Sequence, residues 1–214
     1  MTWLPDNLDT VASLAAAHGW LAGIPLLVGL LLSLPLGWAA HRWSRVRPFL
    51  VVGAGLLYTI PSLALFVLMP LILGTRMLDP LNVLVAMTVY TLALLVRTVA
   101  DGLDSVPEHV RAAATAMGYG GLARAFKVEL PLAVPVIAAG LRVAAVSNVS
   151  IVSVASLIGV AQLGNLLTDG YSRAYPEVLL VGILATVLLA LMFDLVIILV
   201  ARLLTPWVRA GGAR

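Results

Sequence analysis

Cysteine is absent from this 214-residue chain, and charged residues make up only 11% of it. Without cysteine there are no disulfides, thiolate metal sites or cysteine nucleophiles. A soluble domain carries about 25% charged residues, so a chain that is 62% hydrophobic has too little polar surface for water. The composition predicts an integral membrane protein. Its net charge of +3 then reports topology rather than a nucleic-acid partner.

Motifs of nucleotide-binding and catalytic proteins are also missing. There is no phosphate-binding loop of the G-x-x-x-x-G-K-[ST] type, so any ATP and Mg must be bound by another chain. His18, His41 and His109 lie far apart without metal-ligand spacing, which favours solvated or capping roles and predicts no metal or cofactor on this chain. An intramembrane enzyme would need a catalytic pair or metal motif within its spans, and an ion-coupled secondary transporter would need internal repeats; neither is found.

Five hydrophobic segments reach the length of roughly 20 residues that a helix needs to cross a bilayer. They are residues 20–40, 49–74, 80–100, 132–158 and 178–204. These runs are too long and too continuously apolar for the strands of a membrane barrel. The predicted fold class is therefore all-α, a polytopic membrane protein with about five transmembrane helices.

The distribution of lysine and arginine sets the expected orientation. Residues 41–48, 97–131 and 202–214 carry ten of these cations, whereas the opposite side of a five-span chain carries only two, Arg76 and Arg173. Positive loops stay in the cytoplasm, so the N-terminus is predicted outside and the C-terminus inside. Residues 1–19 then form an extracytoplasmic segment without signal-peptide character. Residues 20–205 form the transmembrane domain, and residues 206–214 a cytoplasmic tail.

The connection between the third and fourth spans, about 30 residues, is long for a plain loop. Ser105 followed by Glu108 predicts a capped helix start, and the alanines of residues 112–116 continue that helix. Three glycines, Gly118, Gly120 and Gly121, end it because glycine adopts left-handed C-cap conformations. A second helix follows, and Pro131 marks the entry to the fourth span. Such a hairpin suits either docking into a partner's groove or lying at the membrane interface.

One motif runs through this hairpin. It has the spacing Glu-Ala-Ala, three residues, Gly, nine residues, Ile-x-Leu-Pro. The two alanines are Ala113 and Ala114, the glycine is Gly118, and the last four positions are Val-Glu-Leu-Pro at 128–131. This sequence resembles the signature loop of ABC-importer permeases, the inner-membrane components of binding-protein-dependent transport, which have the MetI-like fold. The motif's Glu falls on Ala112, so either Glu108, one turn earlier, supplies the charge or that contact is absent.

Other segments resemble one subfamily of these permeases, that for glycine betaine, carnitine and choline. Residues 58–74 contain Ile-Pro-Ser-Leu-Ala, which is similar to a segment of that subfamily, as are residues 128–150 and 155–167. In the last of these, Ala161 and Gln162 replace a glycine pair. The resemblance extends over about residues 20–205.

The resemblance implies a multi-pass subunit in a bacterial or archaeal inner membrane. Two permeases, identical or paralogous, form the pore for a small quaternary amine that a separate extracytoplasmic binding protein delivers. Two cytoplasmic ATPase subunits, which bind ATP and Mg, receive the coupling loop at about residues 101–131. The implied coupling residues are Glu108, Ala112, Ala113, Ala114, Gly118, Leu130 and Pro131. Methionine or another amino acid is the alternative solute.

Polar and helix-breaking residues inside the spans are candidates for the transport pathway. Pro61, beside Ser62, removes a helix hydrogen bond in the second span, which predicts either a pore-facing break or a packed kink. Ser147, Asn148 and Ser150 give the fourth span a polar face, which either lines the pathway or bonds neighbouring helices. Asp194 lies inside the fifth span, where its charge favours a structural ion pair with Arg97 or Arg142 over a proton or solute role.

Overall fold

The structure, a computed structural model, describes residues 3–207, and all regular structure within them is helical. The helices are α1 (Trp3–Asp6), α2 (Leu8–Arg42), α3 (Arg47–Tyr58), α4 (Ser62–Leu73), α5 (Pro80–Asp104), α6 (Glu108–Ala116), α7 (Gly121–Arg124), α8 (Leu130–Val152), α9 (Gly164–Ser172) and α10 (Pro176–Leu204). A π-helical turn, Ala125–Glu129, joins α7 to α8, and a 3₁₀ turn, Ser153–Ile158, follows α8. Most of the predicted tail, with Arg209 and Arg214, lies outside the described residues.

Four continuous helical segments are long and apolar enough to cross a membrane, and the bent pair α3–α4 makes a fifth if it is one span. The prediction of an all-α protein with about five spans is therefore confirmed. The predicted spans differ mainly at their ends. The third extends to Asp104, and the helical segment that contains the fourth begins at Gly121.

The helix that contains the first predicted span begins before that span. Helix α2 runs from Leu8 to Arg42, about 52 Å at 1.5 Å per residue, and contains the predicted span 20–40. Much of the predicted segment 1–19 is therefore helical. Val11 and Leu14 pack against the main hydrophobic core, and such tertiary contacts supply most of a helix's stability.

The second span is broken rather than continuous, because the chain bends by 103° between α3 and α4. Pro61 at the break is extended, with φ −60° and ψ 131°. The Tyr90 hydroxyl of α5 donates a hydrogen bond to the Ile60 carbonyl, so an acceptor freed by the break is satisfied by a neighbouring helix. Arg47, at the start of α3, lies beside the C-terminal end of α5. Leu73, at the end of α4, shortly precedes the N-terminal end of α5. The bent pair therefore runs from one end of the bundle to the other and crosses it once.

Helix α5 is the centre of the bundle and packs against α2, α3, α4 and α8. Glycines allow two of these helices to approach it closely. A Cβ on Gly29 of α2 would lie 2.5 Å from Thr91, and one on Gly140 of α8 would lie 2.2 Å from Thr98. Small residues at such contacts are typical of membrane helix pairs.

The bundle has two distinct ends. The end of α2, the start of α3, the end of α5 and the hairpin of residues 105–131 meet at one of them, which we call the hairpin end. At the other end, the Trp3 backbone N–H donates to Glu177 at 3.0 Å, and His18 of α2 meets Gln162. The cation-rich segments 41–48 and 97–131 therefore share one end, as a five-span topology requires.

Candidate coupling and transport site

The first arm of the hairpin is α6, which begins at Glu108 rather than after a Ser105 cap. The predicted cap is wrong because α5 continues to Asp104, so that Ser105 ends α5 and its hydroxyl donates to the Gly102 carbonyl at 2.7 Å. Pro107, extended at φ −58° and ψ 141°, is the N-cap residue of α6. Glu108 then places a carboxylate in the first turn, where it interacts favourably with the helix dipole.

The elbow between the two arms depends on Gly118, whose φ is +89°. The Tyr119 N–H donates to the Ala114 carbonyl at 3.1 Å and the Gly118 N–H to the Thr115 carbonyl at 3.0 Å, which is the Schellman pattern. The predicted left-handed helix end is thus confirmed at Gly118. It is wrong for the other two glycines, since one left-handed residue completes the turn. Gly120, at φ −67° and ψ 162°, precedes α7, and Gly121 begins it.

The second arm runs into the fourth span without interruption, since residues 121–158 are helical throughout. Pro131 lies in the first turn of α8 and has no N–H to donate to the preceding turn. A π-turn stands just before it, in which the Leu130 N–H donates to the Ala125 carbonyl five residues back. Wider turns of this kind are a recognised way to accommodate an interrupted hydrogen-bond ladder. Pro131 therefore widens the helix instead of starting it.

The hairpin presents an exposed surface of small and apolar residues. Glu108, Ala112 and Ala113 are exposed, and a Cβ built on Gly118 meets nothing within 4 Å. Ala114 is instead 1% exposed, and Leu130 and Pro131 are half-buried at the root of the hairpin. Three larger apolar side chains at the tip and along the second arm are exposed by 62–71%, namely Met117, Leu122 and Phe126. Such a patch indicates a surface that another molecule covers.

A polar network, which sequence reasoning missed, ties this hairpin to the bundle. Arg124 donates from Nη1 to the Thr115 hydroxyl at 2.8 Å, which joins the two arms. It also donates from Nε to Glu129 Oε1 at 2.7 Å. Glu129, the variable position of the Leu-Pro motif, is 2% exposed. Its other oxygen lies 3.6 Å from Nε2 of His41 at the end of α2.

The network continues through His41 into α5 and α3. His41 Nδ1 lies 2.5 Å from Asp104 Oδ1. Arg47, the first residue of α3, donates to Asp104 and, at 2.9 Å, to Asp101. We call this set the root network; its members are Thr115, Arg124, Glu129, His41, Asp104, Arg47 and Asp101. The predicted solvated or capping role is wrong for His41, whose side chain is 9% exposed, because three helices converge on it. His109 is exposed, as predicted.

An apolar cleft of about 420 Å³ separates the second arm of the hairpin from the bundle beside this network. Trp38 of α2, Leu103 of α5 and Phe126 of the π-turn are among its walls. Beside this unfilled space, the root network connects the hairpin to the bundle through hydrogen bonds and ion pairs.

The predicted pathway residues separate into different environments. Pro61 is exposed and Ser62 is half-buried at the break between α3 and α4. Ser147 is half-buried, Ser150 is exposed, and Asn148 is 1% exposed. Asn148 Nδ2 donates to the Thr91 hydroxyl at 2.8 Å and to the Ala22 carbonyl at 3.3 Å. For Asn148 the geometry matches the interhelical alternative, because these bonds join α8 to α5 and α2.

A second set of interhelical hydrogen bonds lies at the end of the bundle opposite the hairpin. His18 is fully buried rather than solvated or capping as predicted, because α2 extends well before it. Its Nε2 donates to the Val149 carbonyl and its Nδ1 lies near Gln162 Oε1, both at 2.9 Å. Gln162 also donates to the Ser153 carbonyl at 3.2 Å. His18 and Gln162 together therefore join α2, α8 and the turn before α9.

Asp194 pairs with Arg142, one of the two predicted partners. Arg142 donates from Nε to Oδ1 at 2.6 Å and from Nη2 to Oδ2 at 3.0 Å. The other predicted partner, Arg97, lies 3.5 Å from Asp101. Within residues 3–207, no group of three or more histidine and acidic side chains is placed to hold a metal ion.

The family profile described as "binding-protein-dependent transport system inner membrane component" matches residues 26–210. The chain belongs to this family. As a family member, the permease is a non-catalytic, multi-pass subunit of an inner membrane, and the ATPase that drives transport is separate.

Several known proteins are similar to this permease over nearly its whole length. The osmoprotectant import permease OsmW of Salmonella typhimurium is 36% identical over 95% of this chain and 96% of its own. The glycine betaine/carnitine/choline permease OpuCB of Bacillus subtilis is 26% identical over 96% and 94%. The fold matches a chain of the MetNI methionine ABC transporter with a TM-score of 0.80 at 21% identity, covering 96% of this chain and 98% of that one.

The two departures of this permease from the expected motifs now have a structural setting. Ala112, at the motif's Glu position, is exposed on α6, one helical turn beyond the exposed Glu108. Gln162, in place of a glycine, is fully buried and bonded to His18. No pattern in the sequence indicates the pairing of His18 with Gln162, since 144 positions separate them.

Proposed function

We propose that this permease forms part of the translocation pathway for a small quaternary-amine osmoprotectant, such as glycine betaine, choline or carnitine. The observation that carries this proposal is the 36% identity to an osmoprotectant import permease over 95% of the chain. Relatives with glycine betaine, carnitine and choline in their names support the same solute class. The methionine transporter shares the fold but only 21% of the sequence, so it carries less weight for the solute.

The hairpin end faces the cytoplasm in this proposal. The cations Arg42, Arg45, Arg111 and Lys127 lie in the segments that meet there, and positive loops are retained on the cytoplasmic side. A separate extracytoplasmic binding protein then delivers solute at the opposite end, near α9. A second permease, either another copy or a paralogue, completes the pore.

The hairpin docks on a cytoplasmic ATPase subunit, which binds ATP and Mg. Its exposed face combines small residues, which allow a close approach, with apolar side chains that gain from burial. The residues that shape or support this face are Glu108, Ala112, Ala113, Ala114, Gly118, Leu130 and Pro131. The root network carries the displacement of the hairpin to α2, α5 and α3, and so to the bent span.

Co-purification tests the docking step. Ala113 is exposed on α6, so Ala113→Arg keeps the fold but inserts a long cation into the contact surface. We expect the ATPase to be lost from the purified complex. Ala161→Arg is the matched control, because Ala161 is an exposed alanine at the opposite end. Retention of the ATPase by Ala113→Arg would show that this face is not the dock.

Uptake into proteoliposomes tests the solute. The complete transporter, with ATPase and binding protein, is supplied with labelled glycine betaine, choline, carnitine, proline or methionine. We expect ATP-dependent uptake of quaternary amines. Uptake of methionine or proline alone would overturn the solute class. Flux that survives ATP depletion but needs an ion gradient would overturn the ATP-driven mechanism.

A further inference from the structure

The Arg142–Asp194 ion pair lies deep within two spans. At 1.5 Å per residue, Asp194 is about 15 Å from the C-terminal end of α10, and Arg142 is about 18 Å from the start of α8. The hydrocarbon core of a bilayer is about 30 Å thick. Both side chains are therefore at a depth where charge is costly and where ionisable residues mark interiors or aqueous pathways.

This pair is not enclosed by its own chain. The side chain of Arg142 is 44% exposed and that of Asp194 is 23% exposed. Arg142 belongs to a row of exposed residues along one face of α8, spaced three or four apart as neighbours on a helix surface are. We call this row the open face; its members are Pro135, Ala139, Arg142, Val146 and Ser150. It includes Ser150, whereas the neighbouring Asn148 points into the bundle.

Another side of α8 has the opposite character. A groove of about 490 Å³ runs between α2, α8 and α10, and its walls are apolar side chains such as Leu27, Ile137, Leu141 and Val200. Lipid tails fit such a surface without loss of hydrogen bonds. Arg142 of the open face and its partner Asp194 instead place a guanidinium and a carboxylate within the membrane, and Ser150 adds a hydroxyl about 12 Å further along α8, where tails solvate such groups poorly. Only one of these two surfaces therefore suits contact with hydrocarbon.

We infer that the open face borders a water-filled passage and that the Arg142–Asp194 pair is a transient binding site there for a zwitterionic solute. The inference rests on the proposed function, because it requires a solute that crosses this chain. The solute's carboxylate takes the bidentate position on Arg142 that Asp194 now occupies. Its quaternary ammonium, which has no N–H to donate, is attracted to Asp194 by charge alone. Such exchange of one ion pair for another is favourable enough to admit a solute and weak enough to release it.

Thiol labelling tests whether the open face is wet, and the absence of cysteine from the chain makes each introduced thiol unique. Val146→Cys and Ser150→Cys are placed on the open face, and Val200→Cys in the apolar groove is the matched control. The complete transporter in proteoliposomes is treated with a membrane-impermeant methanethiosulfonate that carries a quaternary ammonium. We expect both open-face thiols to react, more slowly in excess glycine betaine, and the groove thiol to stay unmodified.

Two outcomes of the labelling would overturn the inference. Reaction of the open-face thiols only with a lipid-soluble maleimide would show that the face contacts hydrocarbon. Spontaneous disulfides between two permeases through Val146→Cys would show a dry contact between subunits.

Charge exchange separates solute binding from a structural ion pair. Asp194→Asn and Arg142→Gln each remove one charge, and the double variant Arg142→Asp with Asp194→Arg restores a pair of reversed orientation. We expect each single variant to weaken glycine betaine uptake by about tenfold, and the double variant to recover thermal stability but not uptake. Recovery of both by the double variant would overturn the binding role. If the wild type takes up no quaternary amine while its open-face thiols react with the charged reagent, the proposed solute fails and the wet passage stands. Uptake of choline but of neither zwitterion would overturn the binding role.

Discussion

Arg124 and Glu129 are joined across the π-turn by a 2.7 Å hydrogen bond from Nε to Oε1. A π-turn links residues five apart, so it brings these two side chains together. Arg124 is 27% exposed on the hairpin, whereas Glu129 is 2% exposed at the edge of the bundle. The pair therefore connects the exposed hairpin with the interior, and the second carboxylate oxygen of Glu129 extends the connection to His41.

The first prediction concerns Glu129→Gln, which keeps the shape of the side chain but removes its charge. Arg124 and His41 then lose a buried ionic partner, at a cost of about 1–3 kcal/mol. We expect the complex to assemble with a lowered apparent Tm, to hydrolyse ATP, and to transport several-fold less solute per ATP. Uptake and ATPase rates measured on the same proteoliposomes check this ratio.

Asp9→Asn is the control for Glu129→Gln, since Asp9 is exposed near the start of α2, away from the hairpin. It should leave both rates unchanged. An unchanged ratio of uptake to hydrolysis in Glu129→Gln would contradict a coupling role for the root network.

The second prediction concerns Gly118→Val. No atom would obstruct a Cβ at this position, so the cost comes from the φ of +89°, which a β-branched residue resists by about 1–2 kcal/mol. We expect the hairpin to be misshapen while the spans stay folded, so that ATP hydrolysis and uptake become uncoupled. Membrane content, ATPase rate and uptake are the three measurements.

Gly120→Val provides the contrast. Gly120 also has open space around it, but its φ of −67° and ψ of 162° suit valine. It should retain far more coupling than Gly118→Val. An equal loss of coupling in both variants would show that the docking surface requires small residues at these positions, rather than a left-handed backbone at Gly118.

Features set by composition or by local sequence were predictable. The spans follow from long apolar runs, and the elbow follows from the glycines after the alanine-rich helix. The pairing of Asp194 with Arg142 was one of two predicted pairings, because few ionisable residues lie inside the spans. The sequence predicts the position of the break at Pro61. The bend of 103° depends on how α4 packs against α5 and against the turn after α8, which the sequence does not indicate.

Features set by contacts between distant segments were not predictable from one sequence. Nothing in the sequence around Glu129 indicates burial, and only the convergence of α2 and α5 on the π-turn buries it. The predicted solvated or capping role of His41 is wrong for the same reason, because contacts between distant helices bury its side chain. The predicted Ser105 cap is wrong because a local capping pattern competes with the tertiary contacts that extend α5 to Asp104.

The third prediction concerns the His18–Gln162 contact at the far end. Gln162→Ala leaves the buried His18 without its side-chain partner, so we expect a loss of about 1–3 kcal/mol and a fall in apparent Tm of about 3–10 °C. His18→Ala should cost a similar amount. Because the two residues share one interaction, the double variant should be less destabilised than the sum of the single variants.

Ala161→Ser is the control for this cycle, since Ala161 is the exposed neighbour of Gln162. Its Tm should match the wild type. Strict additivity of His18→Ala and Gln162→Ala would show that the two residues stabilise the protein independently.

The fourth prediction concerns the contact between α8 and α5. A Cβ on Gly140 would lie 2.2 Å from Cγ2 of Thr98, so Gly140→Ala must push the helices apart or rotate Thr98. Overpacking of this kind typically costs about 1–3 kcal/mol, and we expect a lower apparent Tm in detergent. Thr98→Ala removes the obstructing methyl group, so the double variant should regain part of the loss. Gly53→Ala, where a Cβ meets nothing within 4 Å, should not lower the Tm. Failure of Thr98→Ala to raise the apparent Tm of Gly140→Ala would mean that α8 and α5 are not held at this distance.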